Sequence, residues 1–212
     1  MSVDKSRAIP SASAAVRHLR RVDPTLAKVI ARVGPCTLEP QPDDTFPALL
    51  KSIVYQQLNG KAAATILGRV MKALGGKATP ERLLKTPEAA LRGAGLSANK
   101  LRAVRDLAEK CRDGVVRPRK ELERLSDEEI IARLTEVRGI GEWTVHMFLM
   151  FRLGRPDVLP TGDYGVRKAF GRLYRKSARL PPPCALEKHG KLWAPYRTVA
   201  AWYLWRHLDA KS

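Results

Sequence analysis

The residue best suited to charge chemistry in this chain is Asp163, set in the run Leu159-Pro160-Thr161-Gly162-Asp163-Tyr164-Gly165-Val166-Arg167-Lys168. A lone aspartate before a helix ordinarily caps it, because its carboxylate accepts a hydrogen bond from the first amides. The same carboxylate, turned toward a ligand, stabilises positive charge that develops there. Upstream, Leu134-Thr135-Glu136-Val137-Arg138-Gly139-Ile140-Gly141-Glu142-Trp143-Thr144-Val145 joins two helices through a glycine-punctuated turn. Gly139 and Gly141 permit backbone angles closed to other residues and leave no side chain to block a close approach. Outward-pointing amides, with the positive end of the helix starting near Glu142, make a site for a phosphate that needs no base contact. Arg138 adds a direct charge. Alone, a Gly-x-Gly turn is equally an ordinary helix connection.

Charge says what such a site would meet. Thirty-nine Lys and Arg against 21 Asp and Glu give a formal charge of +18 over 212 residues, a self-repulsion that a polyanion relieves and that points to nucleic acid. No run approaches the roughly 20 apolar residues needed to span a bilayer, and no membrane role is expected. Met1 to Ser13 lacks the apolar core of a secretory signal, so the expected location is inside the cell, in cytoplasm or nucleus. Cys36, Cys111 and Cys184 are odd in number and far apart, and His18, His146, His189 and His207 form no pair at ligand spacing. Neither a disulfide framework nor a metal site is expected, and no cofactor.

The elements that must position these residues read as helices throughout. Apolar residues recur at steps of three and four, and no stretch alternates long enough for a sheet; the fold class is all-α. Capping oxygens stand beside first-turn prolines at Asp23-Pro24, Thr45-Phe46-Pro47, Thr79-Pro80-Glu81 and Thr86-Pro87, and Ser126 with Glu129 forms a capping box. The pattern predicts helices over 12–22, 24–33, 46–58, 61–73, 80–85, 87–92, 97–112, 126–136, 142–153, 164–175 and 194–208. Gly34 to Pro42 and Leu180 to Cys184 read as surface connectors, since their prolines stop a helix.

A hairpin of the form Val-x-Gly-Ile-Gly-x-Trp-Thr, followed by Pro160-x-x-Asp163 and a helix, resembles the helix-hairpin-helix DNA glycosylases. The closest likeness is to their DNA-3-methyladenine glycosylase II branch. Ile53-Val54-Tyr55-Gln56-Gln57-Leu58-Asn59-Gly60-Lys61 and Trp193-Ala194-Pro195-Tyr196-Arg197 are similar to two further motifs of that branch. The resemblance implies a two-lobed fold with a DNA-binding cleft. Residues 43–153 would form a bundle ending in the hairpin, and residues 1–42 and 154–212 a second lobe carrying the Asp163 loop.

It also implies a reaction: extrusion of an alkylated purine from duplex DNA and hydrolysis of its glycosidic bond, to leave an abasic site in an intact strand. Asp163 would stabilise the positive charge on the sugar. Gln57 or Leu58 would wedge into the stack; Trp143, Tyr196 and Tyr55 would form the base pocket, where a cationic ring is attracted to an aromatic face. Arg138, Gly139, Gly141, Thr144 and Lys61 would hold DNA phosphates. The expected partner is double-stranded DNA with alkylated bases, bound by a monomer. Trp202 and Trp205, one turn apart, read as core. Relatives that also cleave the strand carry a lysine where this chain has Trp143, so no Schiff base is expected. Rival readings are a noncatalytic hairpin protein that binds structured DNA and a bifunctional glycosylase/lyase for oxidised bases. In three places this chain departs from the pattern: Arg138 replaces a common proline, Met147 a frequent aromatic, and Thr161-Gly162 precedes Asp163 where relatives vary.

Overall fold

The computed structural model describes residues 12–41, 43–175 and 179–209. Its helices in chain order are α1 (Ala12–Val22), α2 (Pro24–Val33), α3 (Thr45–Tyr55), α4 (Gly60–Ala73), α5 (Pro80–Lys85), α6 (Glu88–Gly93), α7 (Ala98–Arg112), α8 (Arg119–Leu122), α9 (Asp127–Thr135), α10 (Glu142–Phe148), α11 (Tyr164–Phe170), α12 (Pro183–Gly190) and α13 (Arg197–Asp209). No strand occurs among the described residues, so the chain is all-α. It divides into two compact units, one of residues 42–148 and one of residues 1–41 with 149–212. Among the described residues, no helix is long and apolar enough to cross a membrane.

In the unit of residues 42–148, α3 packs on α4 and α7, α7 on α5, and α10 on α9 and α3. The shared core is aliphatic, with Leu49, Ile53, Val54, Val104, Leu107, Leu134 and Val145 all fully or nearly fully buried. Capping follows the sequence only in part: α6 starts without a side-chain cap, Thr86 Oγ1 donating back to the Arg82 carbonyl at 2.8 Å, and α3 is capped by Asp44 rather than Thr45. Asp44, Asn59, Thr79 and Ser97 each accept from an amide in the first turn of α3, α4, α5 and α7, and Ser126 with Glu129 closes both halves of a capping box on α9. Asp44 also accepts from the Arg119 amide at 2.8 Å, which fastens the short α8 to the start of α3.

In the other unit, α13 packs against α11, α2 and α1. Its centre is Asp23. The sequence presents this residue as a helix cap, and its Oδ1 does accept from the Leu26 amide at 2.9 Å. Its Oδ2 accepts in addition from Tyr174 Oη at 2.7 Å, Trp193 Nε1 at 2.8 Å and His189 Nε2 at 3.1 Å. Burial by itself raises a carboxyl's pKa; the donors from His189, Leu26, Trp193 and Tyr174 outweigh it and hold Asp23 at about 2. That value lies below the unfolded one of about 3.9, so the stabilisation is fully present above roughly pH 4 and is lost as pH falls toward 2. We expect it to amount to about 2 kcal/mol, since each tenfold change in proton affinity is worth about 1.4 kcal/mol. Denaturant melts at about pH 5 and about pH 2.5 should show the loss, and Asp23→Asn should flatten it; an equal pH dependence in wild type and variant would contradict the assignment.

The helix boundaries differ from the sequence pattern where the backbone departs from α geometry. The helix expected to reach residue 58 stops at Tyr55, and the ranges 142–153 and 164–175 each finish in a π-helical turn, Leu149–Leu153 and Gly171–Arg175. The last helix begins at Arg197, after a short 3-10 turn at Lys191–Trp193. The short α8 has no counterpart in the sequence pattern. The Leu180 to Cys184 connector is shorter than expected because α12 already starts at Pro183, a first-turn position where proline costs nothing.

Candidate active site

The Gln56 to Asn59 segment takes its shape from the end of α3. Gln57 is the only described non-glycine residue with positive φ, +57°, a left-handed conformation that costs about 1–2 kcal/mol. It turns the chain out of α3 and into α4. Three contacts hold the turn. Lys100 Nζ donates to the Val54 carbonyl at 2.6 Å, Leu58 N to the Tyr55 carbonyl at 3.3 Å, and Asn59 caps α4 through the Ala62 amide at 2.9 Å. Gln56 is fastened to the hairpin, its Nε2 donating to the Gly139 carbonyl at 2.9 Å. Leu58, a large apolar residue, is 39% exposed, and Gln57 and Lys61 are exposed beside it.

The hairpin is pinned from beneath by buried Val137 and Ile140. Gly139 has φ +78°, so the turn needs glycine there. Gly141 corrects the sequence reading. Its backbone lies outside the left-handed region, and a Cβ added there would meet nothing within 4 Å. Space rather than conformation is what glycine provides at this position. Among the described residues, the amides of Gly139 and Gly141 have no acceptor within the protein. The Arg138 amide donates to Asp106 Oδ2 at 2.7 Å and the Thr144 amide to the Gly141 carbonyl at 2.9 Å, which leaves Arg138 its exposed guanidinium. The Thr144 side chain is buried.

Beside this turn a cavity of about 460 Å³ is lined by Ser52, Tyr55, Gln56, Gln57, Gly139, Trp143, Thr144 and Met147. It gathers most of the residues the sequence singled out in this unit; Leu58, Lys61, Arg138 and Gly141 lie outside it. Trp143 is 50% exposed, so it is no core residue. A second cavity of about 390 Å³ shares Gln56, Gln57 and Gly139 but is lined otherwise by Ser97, Asn99, Lys100, Arg102, Arg138, Ile53 and Ala103. Burial draws the Lys100 ammonium below its usual pKa.

Asp163 and Tyr196 belong to the other unit. Asp163 is 9% exposed. Its Oδ1 accepts from the Val166 amide at 2.7 Å and from Trp205 Nε1 at 2.9 Å, so the carboxylate caps α11 and is gripped by a side chain from α13. The core reading of Trp205 is therefore incomplete: its ring stacks on Phe151 at 5.9 Å while its N–H orients Asp163. Trp202 is a buried residue as expected. Gly165 makes the arrangement possible, because a Cβ there would stand 3.0 Å from Trp205 Cδ1 and 3.2 Å from Asp163 Oδ1. Sequence reasoning missed Trp205 and Gly165; an indole on a helical apolar face gives no sign that its N–H has a distant partner.

The C-terminal motif anchors the loop that precedes Asp163. Arg197 forms a two-pronged pair with Asp157, at 2.8 and 2.9 Å, and Thr198 Oγ1 donates to the Arg155 carbonyl and accepts from the Val158 amide. Tyr196 is half-buried, its ring meeting His18 edge-on at 5.2 Å.

Residues 50–195 match the family of HhH-GPD superfamily base excision DNA repair proteins. The chain belongs to the HhH-GPD superfamily. Its HhH-GPD relatives include the Schizosaccharomyces pombe protein named DNA-3-methyladenine glycosylase 1, 34% identical over 210 residues, which are 96% of this chain and 90% of that protein. Among solved structures, the Schizosaccharomyces pombe 3-methyladenine DNA glycosylase in complex with abasic DNA superposes with a TM-score of 0.80 at 35% identity, covering 92% of this chain and 97% of that one. A Bacillus halodurans DNA-3-methyladenine glycosidase superposes with a TM-score of 0.83 at 40% identity, covering 91% and 88%. The helix-hairpin-helix fold expected from the motifs is thus the fold this chain has.

Proposed function

We propose that this protein is a monofunctional DNA glycosylase that removes alkylated purines, of the 3-methyladenine and 7-methylguanine type, from duplex DNA. The observation that carries the reading is the Asp163 carboxylate, oriented by the Val166 amide and Trp205 Nε1 in a chain whose full-length relatives are named 3-methyladenine glycosylases. Breaking the glycosidic bond builds positive charge on the sugar, and a carboxylate fixed in advance stabilises it without reorganising at the moment of reaction. A purine made cationic by alkylation leaves readily, so no second carboxylic acid is required.

The other roles divide by chemistry. Leu58, apolar and exposed, and Gln57, held in a strained turn, fill the stack that the extruded nucleotide vacates. Tyr55 and Trp143 offer aromatic faces in one cavity, and the family resemblance alone adds Tyr196 as a further aromatic residue for the base. Gly139, Gly141, Arg138 and Lys61 bind phosphates, whereas Thr144, its amide bonded to the Gly141 carbonyl and its side chain buried, is left out of that set. Trp143→Ala should depress excision of cationic purines more than of neutral ones, by up to about tenfold if the cation attraction is near 1.4 kcal/mol. Equal losses on both substrates, measured in single turnover with the melting temperature preserved, would remove Trp143 from recognition of the cationic base.

Product chemistry tests the monofunctional assignment. Where a strand-cleaving relative needs an amine nucleophile, this chain has Trp143, so abasic strands should stay intact until alkali is added. Nicked product without alkali, together with borohydride trapping of the protein on DNA, would establish the bifunctional rival.

A further inference from the structure

Away from Asp163 on the same unit, α11 and the π-helical turn that continues it carry a second concentration of positive charge. Arg167, Arg175 and Arg179 line a groove of about 610 Å³, and its remaining wall is the apolar strap from Leu180 to Pro183. Among the described residues, no carboxylate lines it. The groove is built rather than incidental. Arg167 Nε donates to the Pro181 carbonyl at 2.9 Å, which fixes the plane of its guanidinium. At Gly171 a Cβ would stand 3.0 Å from Pro181 Cδ and 3.6 Å from the Arg179 carbonyl, so glycine is what lets the strap seat against the helix. Consecutive prolines keep the strap stiff, so little order has to be imposed when a ligand binds.

We propose that this groove is an accessory binding site for DNA phosphates, separate from the hairpin. The proposal rests on the glycosylase reading. Guanidinium forks match phosphate oxygens two by two, and a chain of formal charge +18 favours a polyanion over a single acidic ligand. Arg175 is twelve positions along from Asp163 on one continuous helical stretch, about 18 Å at the usual rise per residue. The groove therefore adds affinity for the flanking duplex and contributes nothing to bond breaking.

The test compares wild type with the double variant Arg175→Gln/Arg179→Gln in binding to undamaged duplex as a function of salt, and in single-turnover excision at saturating enzyme. Losing two phosphate contacts should reduce the slope of log affinity against log salt by about 2, so that the advantage of wild type over the variant grows roughly tenfold as salt falls from about 200 mM to about 50 mM. Excision at saturation should stay within about twofold of wild type. Arg175→Lys/Arg179→Lys should restore the slope, which separates charge from any change in the strap's packing. An unchanged slope in the Gln variant overturns the proposal, including the case in which an acidic peptide binds the groove instead. A wild-type protein that binds DNA but releases no base would sink the glycosylase reading and leave the slope comparison to decide the groove; a wild type that binds no DNA sinks both.

Discussion

Asp163→Asn is expected to lower single-turnover base release by at least roughly 100- to 1,000-fold, the size of effect seen when one electrostatic stabiliser of a transition state is removed. Duplex binding should stay within a few-fold of wild type or tighten, because the charge removed acts on the transition state and not on the bound substrate. The substitution isolates charge from structure. Asparagine keeps a side-chain oxygen for the Val166 amide and Trp205 Nε1, the two donors that hold Asp163 Oδ1, so the cap on α11 survives at a cost of about 1 kcal/mol or less. Activity within a few-fold of wild type would remove Asp163 from the chemistry and leave it as a cap.

The second large effect belongs to the hairpin. Gly141→Val should weaken binding to damaged and undamaged duplex alike, by about 10- to 100-fold, because contacts to the DNA backbone position the protein without reading sequence or lesion. The structure makes this a clean experiment. Nothing stands within 4 Å of a Cβ at Gly141, and its backbone is not left-handed, so stability should change by less than about 1 kcal/mol. Gly139→Val is the contrasting case. Its φ of +78° strains any other residue by about 1–2 kcal/mol, so a loss of binding there would come with a lower melting temperature. If Gly141→Val bound DNA as wild type does, the hairpin would not be the phosphate grip.

Much of this is legible in the sequence because the signals are local. Capping pairs such as Ser126 with Glu129 mark their helix start whatever surrounds them, and the all-helical class follows from apolar periodicity alone. The hairpin and the Asp163 loop are each ordinary alone, a glycine turn and a helix cap, and stand out only because together they resemble the motifs of one family. What stays hidden is long-range. Asp23 reads as a cap, and nothing near it announces three further donors from residues 174, 189 and 193. Trp205 reads as one more apolar position on α13, and only the fold brings its N–H to Asp163. The spacing of Gly139 and Gly141 suggests a conformational reason for both that belongs to Gly139 alone, since spacing cannot tell which glycine of a pair takes the positive φ. The expected end of α3 overruns because a left-handed Gln57 is invisible in a run of good helix formers.

The roles given to Asp163, the base pocket and the Gln57-Leu58 segment depend on this chain hydrolysing the bond between sugar and alkylated purine. Mass spectrometry of the bases released when the purified protein is incubated with methylated duplex DNA decides that point. Free methylated purines are expected above the spontaneous background, 3-methyladenine or 7-methylguanine among them, with no release of unmodified bases and with the Asp163→Asn variant reduced by at least roughly 100-fold. Release of no base, or of oxidised bases in place of methylated ones, would contradict the assignment.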